Sequence, residues 1–193
     1  MSTALPVGSQ DMGALYAWWR DDPLSMLAPL PGLIVQRCTE LAGAQHVLIQ
    51  DLGEVRKRWL EGHRLYLAWM GRQIAAFGWV ATRTAEIGEL ALRFSLSPDD
   101  RYLWDFLTMP SWRGQGIYPR LLQAILHLEE TGKRFWIGHG PNNVASAHGI
   151  LRAGFRKVIQ VWRLPDGKLV CTSCDDQRAE AGAALLGLPL WQS

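Results

Sequence analysis

The sequence predicts an α/β fold with a mixed, mostly antiparallel sheet and a central parallel strand–helix–strand unit flanked by helices. Apolar and polar residues alternate over 90–96, which is the two-residue period of a half-buried strand. Further along, short apolar segments at 102–109 and 134–138 are each followed by an amphipathic helical pattern, which is typical of a parallel strand pair with a right-handed crossover. With 193 residues, 48% of them hydrophobic, the chain suits one globular domain.

The first sixty residues are predicted to be helical and irregular. Leu15, Trp18 and Trp19 share one side of a helix, so we predict a short amphipathic helix over 11–20. Three prolines then interrupt the chain, and residues 33–35 are a candidate first strand.

Clearer signals begin at residue 51. A helix over 51–61 is predicted to start at Asp51 as N-cap and to end before Gly62. Residues 65–69 and 74–80 flank a Gly-Arg-Gln turn and predict a hairpin. The later elements are predicted in the order strand 102–109, helix 117–130, strand 134–138, helix 143–153, a hairpin of 155–163 with 168–172, and a loose helix in the tail.

The composition disfavours several classes of function. Twenty basic and 18 acidic residues give a net charge of +2, which argues against a dedicated nucleic-acid or membrane-surface protein. No segment approaches the ~20 apolar residues of a membrane span, and no secretory leader pattern is present, so we expect a cytoplasmic protein. Three cysteines suit a reducing compartment. Cys171 and Cys174 are interpreted as structural thiols, and we expect no metal, because the sequence offers no second ligand pair.

The loop after strand 102–109 carries the main chemical signal. Glycines permit close approach of the backbone to a diphosphate, and free N–H groups at the following helix start attract an anion. A P-loop would need Gly-Lys-Ser/Thr here, and a dinucleotide fingerprint would need a third glycine. On the loop alone, a diphosphate site and a tight strand-to-helix connection are equally supported. Its sequence is Arg113-Gly114-Gln115-Gly116-Ile117-Tyr118.

Two further motifs follow this loop at fixed spacing. Ser146 lies three residues after Asn143, and Gly154-Phe155 begins eight residues after Ser146. Together the three motifs resemble the GNAT superfamily of acyl-CoA-dependent acyltransferases, whose signature is Arg/Gln-x-x-Gly-x-Gly/Ala, then Asn-x-x-Ala/Ser and Gly-Phe. The expected organisation is one GNAT-like domain over 1–175, with a variable part at 1–60 and the best-matched core at 64–163, and a C-terminal tail at 176–193.

The resemblance implies an N-acyltransferase that moves an acetyl group from acetyl-CoA to a primary amine of a small molecule or peptide by direct attack. The alternative is a non-catalytic acyl-CoA-binding sensor or interaction module on the same fold, and homodimer formation is left open. One backbone N–H near the end of strand 102–109 would polarise the thioester carbonyl. The implied cofactor residues are Leu107, Thr108 and Met109 for pantetheine, Arg113, Gly114, Gln115, Gly116, Ile117 and Tyr118 for the pyrophosphate, and Asn143 and Ser146 on the far side of the cofactor, Asn143 being equally explained as a helix cap.

Two departures from the family pattern bear on catalysis. Tyr118 stands where the family has Gly or Ala, and Ile150 stands where many members place a tyrosine acid four residues before Gly-Phe. The usual acid is therefore excluded, and either Tyr118, a histidine or water would replace it, or the site would work without a positioned acid. His139 follows a predicted strand at the edge where parallel sheets bind ligands, which makes it a candidate acid or base. Glu89 is interpreted as a solvated residue.

Asp105 is the first candidate for the base that deprotonates the amine. On a regular strand it would share a face with Leu103, Leu107 and Met109, and apolar surroundings favour the neutral form of a carboxyl group. The alternative is a structural ion pair, with Arg93 on the preceding strand as partner.

Overall fold

A computed structural model describes residues 4–40 and 51–191. Within these ranges the chain forms strands and α-helices joined by short loops and two 3₁₀ turns, at Gly88–Leu90 and Pro110–Trp112. The elements in chain order are β1 (Gln10–Trp19), β2 (Leu33–Cys38), α1 (Leu52–Leu60), β3 (Arg64–Met70), β4 (Gln73–Ala81), β5 (Thr84–Ile87), β6 (Leu92–Ser95), β7 (Asp100–Thr108), α2 (Ile117–Leu128), β8 (Arg134–His139), α3 (Val144–Arg152), β9 (Arg156–Arg163), β10 (Leu169–Ser173) and α4 (Ala179–Leu186).

Eight of the strands form one mixed sheet in the order β10-β9-β1-β8-β7-β4-β3-β2. Its neighbours pair antiparallel except β7 and β8, which are parallel and joined through α2. This arrangement confirms the predicted mixed sheet with a central parallel strand–helix–strand unit. β5 and β6 pair only with each other, and we call the segment 84–95 the flap.

The predicted helix over 11–20 is wrong, because this segment is the strand β1 in the middle of the sheet. Leu15 packs on one face of the sheet, whereas Tyr16 and Trp18 pack on the other. A strand buried on both faces has a continuous apolar run instead of an alternation, and such a run contains helical spacings by chance. The run 14–18 is buried throughout.

The other predicted elements are confirmed, with changes at their ends. Asp51 caps α1 by accepting a hydrogen bond from Gly53 N at 3.2 Å. The predicted strand over 90–96 is shorter, because Ala91 adopts a left-handed conformation (φ 52°) and only β6 remains extended. The helix predicted in the tail is α4, and it packs against the sheet through Ala183 and Leu186.

Helices cover the two faces of the sheet. α2 and α3 bury Leu121, Leu122 and Ile150 against one face, while α1 and α4 cover the opposite face. A buried ion network fixes the C-terminal end of α2: Glu129 accepts hydrogen bonds from Arg64, Arg101 and Tyr66, at 2.5, 2.8 and 2.6 Å. The N-terminal end of α2 is left facing the loop that carries the glycine motif.

Cys171 is buried on β10, and burial raises the pKa of its thiol to about 11. Cys171 and Cys174 are both free thiols. A buried, protonated thiol is a poor nucleophile and metal ligand, which agrees with a structural interpretation of Cys171, whereas Cys174 is exposed.

Candidate active site

The sheet opens between its two parallel strands. Pairing of β7 with β8 runs from Asp100↔Arg134 to Leu103↔Ile137 and then stops, although both strands continue beyond that point. The cause is a bulge in β7, where Phe77 pairs with Leu107 but Trp79 pairs with Trp104. Two residues of β7 therefore oppose one residue of β4, and the strand bends away from β8.

Asp105 and Phe106 form the bulge, opposite Gly78. Asp105 has a φ of +50°, a left-handed conformation that is uncommon for a residue with a side chain. A Cβ atom on Gly78 would lie 2.0 Å from the Phe106 ring, so only glycine leaves room for that ring. The pair of Gly78 and Phe106 thus maintains the gap in the sheet.

A cavity of ≈ 540 Å³ lies on one side of the gap, and we call it the loop cavity. The glycine loop and the start of α2 form its wall. Gly114 and Gly116 both have left-handed φ angles, +78° and +70°, and Gly116 is the N-cap of α2 without any side-chain cap. The first N–H groups of α2 therefore have no side-chain partner at the cap and attract an anion.

Arginine and histidine side chains surround this end of the loop cavity. Arg113 is exposed, and its Nε donates to the Thr108 carbonyl at 3.2 Å. Arg152 and His148 of α3 also line the cavity, and the Arg152 guanidinium lies 3.5 Å from where a Cβ on Gly116 would be. Among the residues that the structure describes, no carboxylate lines it. Sequence reasoning missed Arg152 because only the packing of α3 beside α2 brings its C-terminal turn to the loop.

The backbone of β7 presents one amide to the gap. Met109 N donates to Ala75 O at 2.8 Å on the β4 side, so Leu107 N, two residues earlier, points the same way. Thr108 N points toward the gap instead. Of the three predicted pantetheine residues, Leu107 and Thr108 line the loop cavity and Met109 packs toward α1.

Tyr118 fills the junction between α2 and α3. Its ring packs edge-on against Phe106 with centroids 5.5 Å apart, and a Cβ on Gly149 would collide with it at 2.3 Å. Its hydroxyl lies 3.1 Å from Ser146 Oγ. Burial raises the pKa of Tyr118 to about 12, although the Ser146 hydrogen bond acts in the opposite direction. This side chain remains protonated throughout the neutral range.

The remaining predicted cofactor residues are distributed around Tyr118. Asn143 caps α3 by accepting from Ser146 N at 3.1 Å, so its cap role is confirmed, and it also lines the loop cavity. Ile117 lines the cavity too, whereas Gln115 lies outside it and donates to Ser111 O at 3.3 Å.

A second cavity of ≈ 840 Å³ lies on the other side of the gap, beneath the flap. We call it the flap cavity. It meets the loop cavity at four residues that line both: Phe106, Tyr118, Asn143 and Ser146. Its charged or titratable lining comes from α1, the flap, β7, the start of α2 and the end of β8, and comprises Arg58, Glu86, Glu89, Tyr102, Asp105, Tyr118 and His139.

Asp105 lines the flap cavity, but its surroundings differ from those expected. The bulge reverses the alternation of β7, so Leu103 packs toward α2 while Leu107 packs toward α1. Asp105 is exposed and forms an ion pair with Arg58 of α1, Nη1 to Oδ2 2.5 Å, and not with Arg93. The prediction of a carboxyl group on a shared apolar face is therefore wrong.

Arg58 is held firmly in this position. Its Nε pairs with Glu54 at 3.0 Å, and its guanidinium carbon lies 5.0 Å from the Trp79 ring and 4.4 Å from the Trp104 ring. Cation–π contact on two rings adds to the ion pairs. Sequence reasoning missed Arg58 because its partner is 47 residues away in the chain.

His139 ends β8 on the rim of the flap cavity. Its Nδ1 lies 2.7 Å from Gly140 O, which can only accept, so Nδ1 carries the proton in the neutral ring. Nε2 then accepts from the Tyr16 hydroxyl at 3.1 Å. Burial, and next the charge of Cys174, raise the pKa of Tyr16, which keeps this hydroxyl a donor. Ile150 is fully buried and supplies no proton donor.

Comparisons with known proteins agree with this geometry. The profile of the acetyltransferase (GNAT) family matches residues 35–155. One similar solved structure is a GNAT-family putative acetyltransferase from Novosphingobium aromaticivorans, with 17% sequence identity, a TM-score of 0.51, and coverage of 81% of this chain and 66% of that chain. Another is a GNAT-family acetyltransferase from Colwellia psychrerythraea, with 19% sequence identity, a TM-score of 0.54, and coverage of 83% of this chain and 56% of that chain. A third is AAC(6')-Ib in complex with parmomycin and acetyl-CoA, with 16% sequence identity, a TM-score of 0.50, and coverage of 72% of this chain and 91% of that chain.

This chain spans 66% and 56% of the length of the first two structures. No curated protein matches it. In the described ranges no helix is long and apolar enough to cross a membrane, and no group of three or more His, Cys, Asp or Glu side chains is arranged to hold a metal ion.

Proposed function

The chain belongs to the GNAT acetyltransferase family, and on that premise we propose that it transfers an acetyl group from acetyl-CoA to a primary amine of a small molecule or peptide. One observation carries the proposal: the loop cavity and the flap cavity meet at the gap between β7 and β8. A cofactor and an acceptor entering from opposite sides would meet there.

The loop cavity fits acetyl-CoA. Left-handed glycines at 114 and 116, the free amides of α2 and the guanidiniums of Arg113 and Arg152 suit a pyrophosphate, and the absence of carboxylates from the lining removes repulsion. Bound acetyl-CoA would supply an activated thioester. Thr108 N–H would donate to the carbonyl oxygen of that thioester and stabilise the negative charge that develops on it.

Residues around the gap would carry out the proton transfers of the reaction. Asp105, which pairs with Arg58, would hold the acceptor amine and take its proton directly or through a water molecule. His139 is the second candidate base, since it lines the flap cavity and its Nε2 accepts from the Tyr16 hydroxyl, which would have to move aside for Nε2 to take the proton. Tyr118 would donate a proton to the departing sulfur as the C–S bond breaks, and Ser146, whose hydroxyl contacts that of Tyr118, would relay a replacement.

A non-catalytic acyl-CoA-binding module is the second candidate function. It is favoured by the ring of Tyr118 at a loop position where the family has Gly or Ala, and by Ile150 at the usual acid position. In that case acetyl-CoA would bind without turnover. The solved complex of AAC(6')-Ib with acetyl-CoA and parmomycin supports the catalytic proposal for this fold.

The test has a binding arm and a turnover arm. Thermal unfolding would be followed with acetyl-CoA, longer acyl-CoAs and free CoA, and thiol release would be measured with pooled amines. We expect stabilisation by acetyl-CoA and amine-dependent thiol release. Stabilisation without thiol release would support the binding module, and neither response would refute both functions.

A substitution separates the roles of Asp105. We expect Asp105→Asn to slow turnover by about 100-fold with little change in acetyl-CoA affinity, because a general base contributes about that much. Asp166→Asn in the exposed β9–β10 turn is the matched control and should be neutral. If Asp105→Asn instead unfolds the protein and leaves the rate of the folded fraction unchanged, the ion pair with Arg58 is structural.

A further inference from the structure

The flap cavity carries an excess of negative charge. Three carboxylates line it, from Glu86, Glu89 and Asp105, against one guanidinium, Arg58. Arg58 is already engaged by Asp105 and by Glu54 outside the cavity. In the part of the chain that the structure describes, neither Glu86 nor Glu89 forms an ion pair, although Glu86 lies opposite Arg93 in the flap register.

A largely buried tyrosine, Tyr102, lines the same space. The side chain of Tyr102 is fixed edge-on against Phe94 with centroids 5.2 Å apart, and only 5% of the residue is exposed. Its oxygen lies 3.3 Å from where a Cβ on Gly138 would be, and both residues line the flap cavity. Among the described residues this hydroxyl has no hydrogen-bond partner, and its oxygen is not fully enclosed by protein, so a ligand or water in the flap cavity can reach it.

Tyr102 and Glu89 act together. Burial, and next the negative charge of Glu89, raise the pKa of Tyr102 above its ordinary range. Glu89 stands in the 3₁₀ turn at the tip of the flap, where the left-handed Ala91 ends the turn. The flap cavity thus has a carboxylate and a neutral hydroxyl in its lining, and both can accept hydrogen bonds from an ammonium group.

We propose that the acceptor is an organic dication of the diamine class, with its reacting amine at Asp105 and its second ammonium group held by Glu89, Glu86 and the hydroxyl of Tyr102. The inference rests on the proposed acyl transfer and adds the class of acceptor. A metal ion is the other cation to consider, but the described residues offer no group of three ligands for one. Two carboxylates and one hydroxyl oxygen can accept from the three N–H donors of an ammonium group.

The experiment compares acceptors that differ only in the second charge. Values of kcat and KM would be measured for 1,4-diaminobutane and 1-aminobutane, and for 1,6-diaminohexane and 1-aminohexane. We expect kcat/KM to favour the diamine of at least one pair by about tenfold, mainly through KM, because one charge-assisted hydrogen bond at a partly exposed site contributes about that factor.

Two variants locate the preference. Glu89→Gln and Tyr102→Phe should each lower the diamine-to-monoamine ratio severalfold, whereas Glu180→Gln on α4 is the matched control and should leave both activity and ratio unchanged. Equal kcat/KM values for monoamines and diamines would overturn the proposal while leaving acyl transfer intact. So would a diamine-to-monoamine ratio that stays unchanged in both variants.

If the protein turns over no amine, the cation site can still be tested by calorimetric titration with 1,4-diaminobutane and 1,6-diaminohexane. Binding of either diamine that weakens in Glu89→Gln would support the cation site and refute only the proposed catalysis. If the protein turns over no amine and neither diamine gives a heat of binding, the proposed cation site is overturned as well.

Discussion

Arg113 and Gly116 give the sharpest test of the loop cavity. In the proposed complex the Arg113 guanidinium donates to a phosphate, so removing it would delete one charge-assisted hydrogen bond, which contributes about 1.5–3 kcal/mol, and the exposure of Arg113 favours the lower value. We therefore expect Arg113→Ala to weaken acetyl-CoA binding about tenfold. Adding Gly116→Glu places a negative charge at the anion position, at a φ of +70° and against Arg120 Nη1, and should abolish binding.

The assay is calorimetric titration with acetyl-CoA, with urea unfolding run in parallel. Gly71→Ala is the matched control for backbone strain, since Gly71 has a φ of +61° in the β3–β4 turn with no atom within 4 Å of an added Cβ. Gly116→Ala and Gly71→Ala should each lower the free energy of unfolding by about 1 kcal/mol, but only Gly116→Ala should weaken acetyl-CoA binding. An unchanged affinity in the Arg113→Ala, Gly116→Glu double variant would refute the assignment of this cavity to the cofactor.

Three further outcomes follow from the geometry. Tyr118→Phe should reduce kcat by about 100-fold with little change in acetyl-CoA affinity if its hydroxyl is the acid; an unchanged kcat in steady-state thiol release would assign that role to water. Glu129→Gln should lower the free energy of unfolding at pH 7 by about 3 kcal/mol in urea titration, because it leaves buried arginines without their counter-ion. Burial alone would raise the pKa of Glu129, but its three hydrogen bonds lower that pKa below 4.5. The stabilisation by Glu129 is therefore present above pH 4.5 and is lost as the pH falls through the pKa of the folded state. A stability difference between wild type and Glu129→Gln that grows on acidification would contradict this prediction. Gly78→Ala should push the Phe106 ring from the gap, costing about 1–3 kcal/mol in stability and lowering kcat, and a variant that matches wild type in both measurements would show that the ring does not set the gap.

The sequence was informative where chemistry and structure are local. The loop from Arg113 to Tyr118, the cap at Asn143 and the hairpin β3–β4 were all predicted, because turn residues and capping side chains act on neighbours a few positions away. The same holds for the parallel pair β7–β8, which follows from the strand–helix–strand order and the handedness of crossovers.

What could not be predicted depends on contacts distant in the chain. No local signal marks Asp105 as a bulge residue, because the bulge needs Gly78 on another strand to admit the Phe106 ring. Its partner Arg58 and the clamp of two tryptophans come together only in the folded sheet. The prediction for β1 failed for the related reason that burial on both faces removes the periodicity on which the prediction relied.

The position of β1 also bears on how the molecule is assembled. Its two neighbours, β8 and β9, lie more than a hundred residues further along the chain, with pairings such as Ala14↔His139 and Gln10↔Arg163. Closing loops of that length is slow, because their entropy is lost before the contacts that compensate for it have formed. We therefore expect the rim of the gap at His139, which Gly13 of β1 touches, to be among the last parts of the protein to reach its native shape after synthesis.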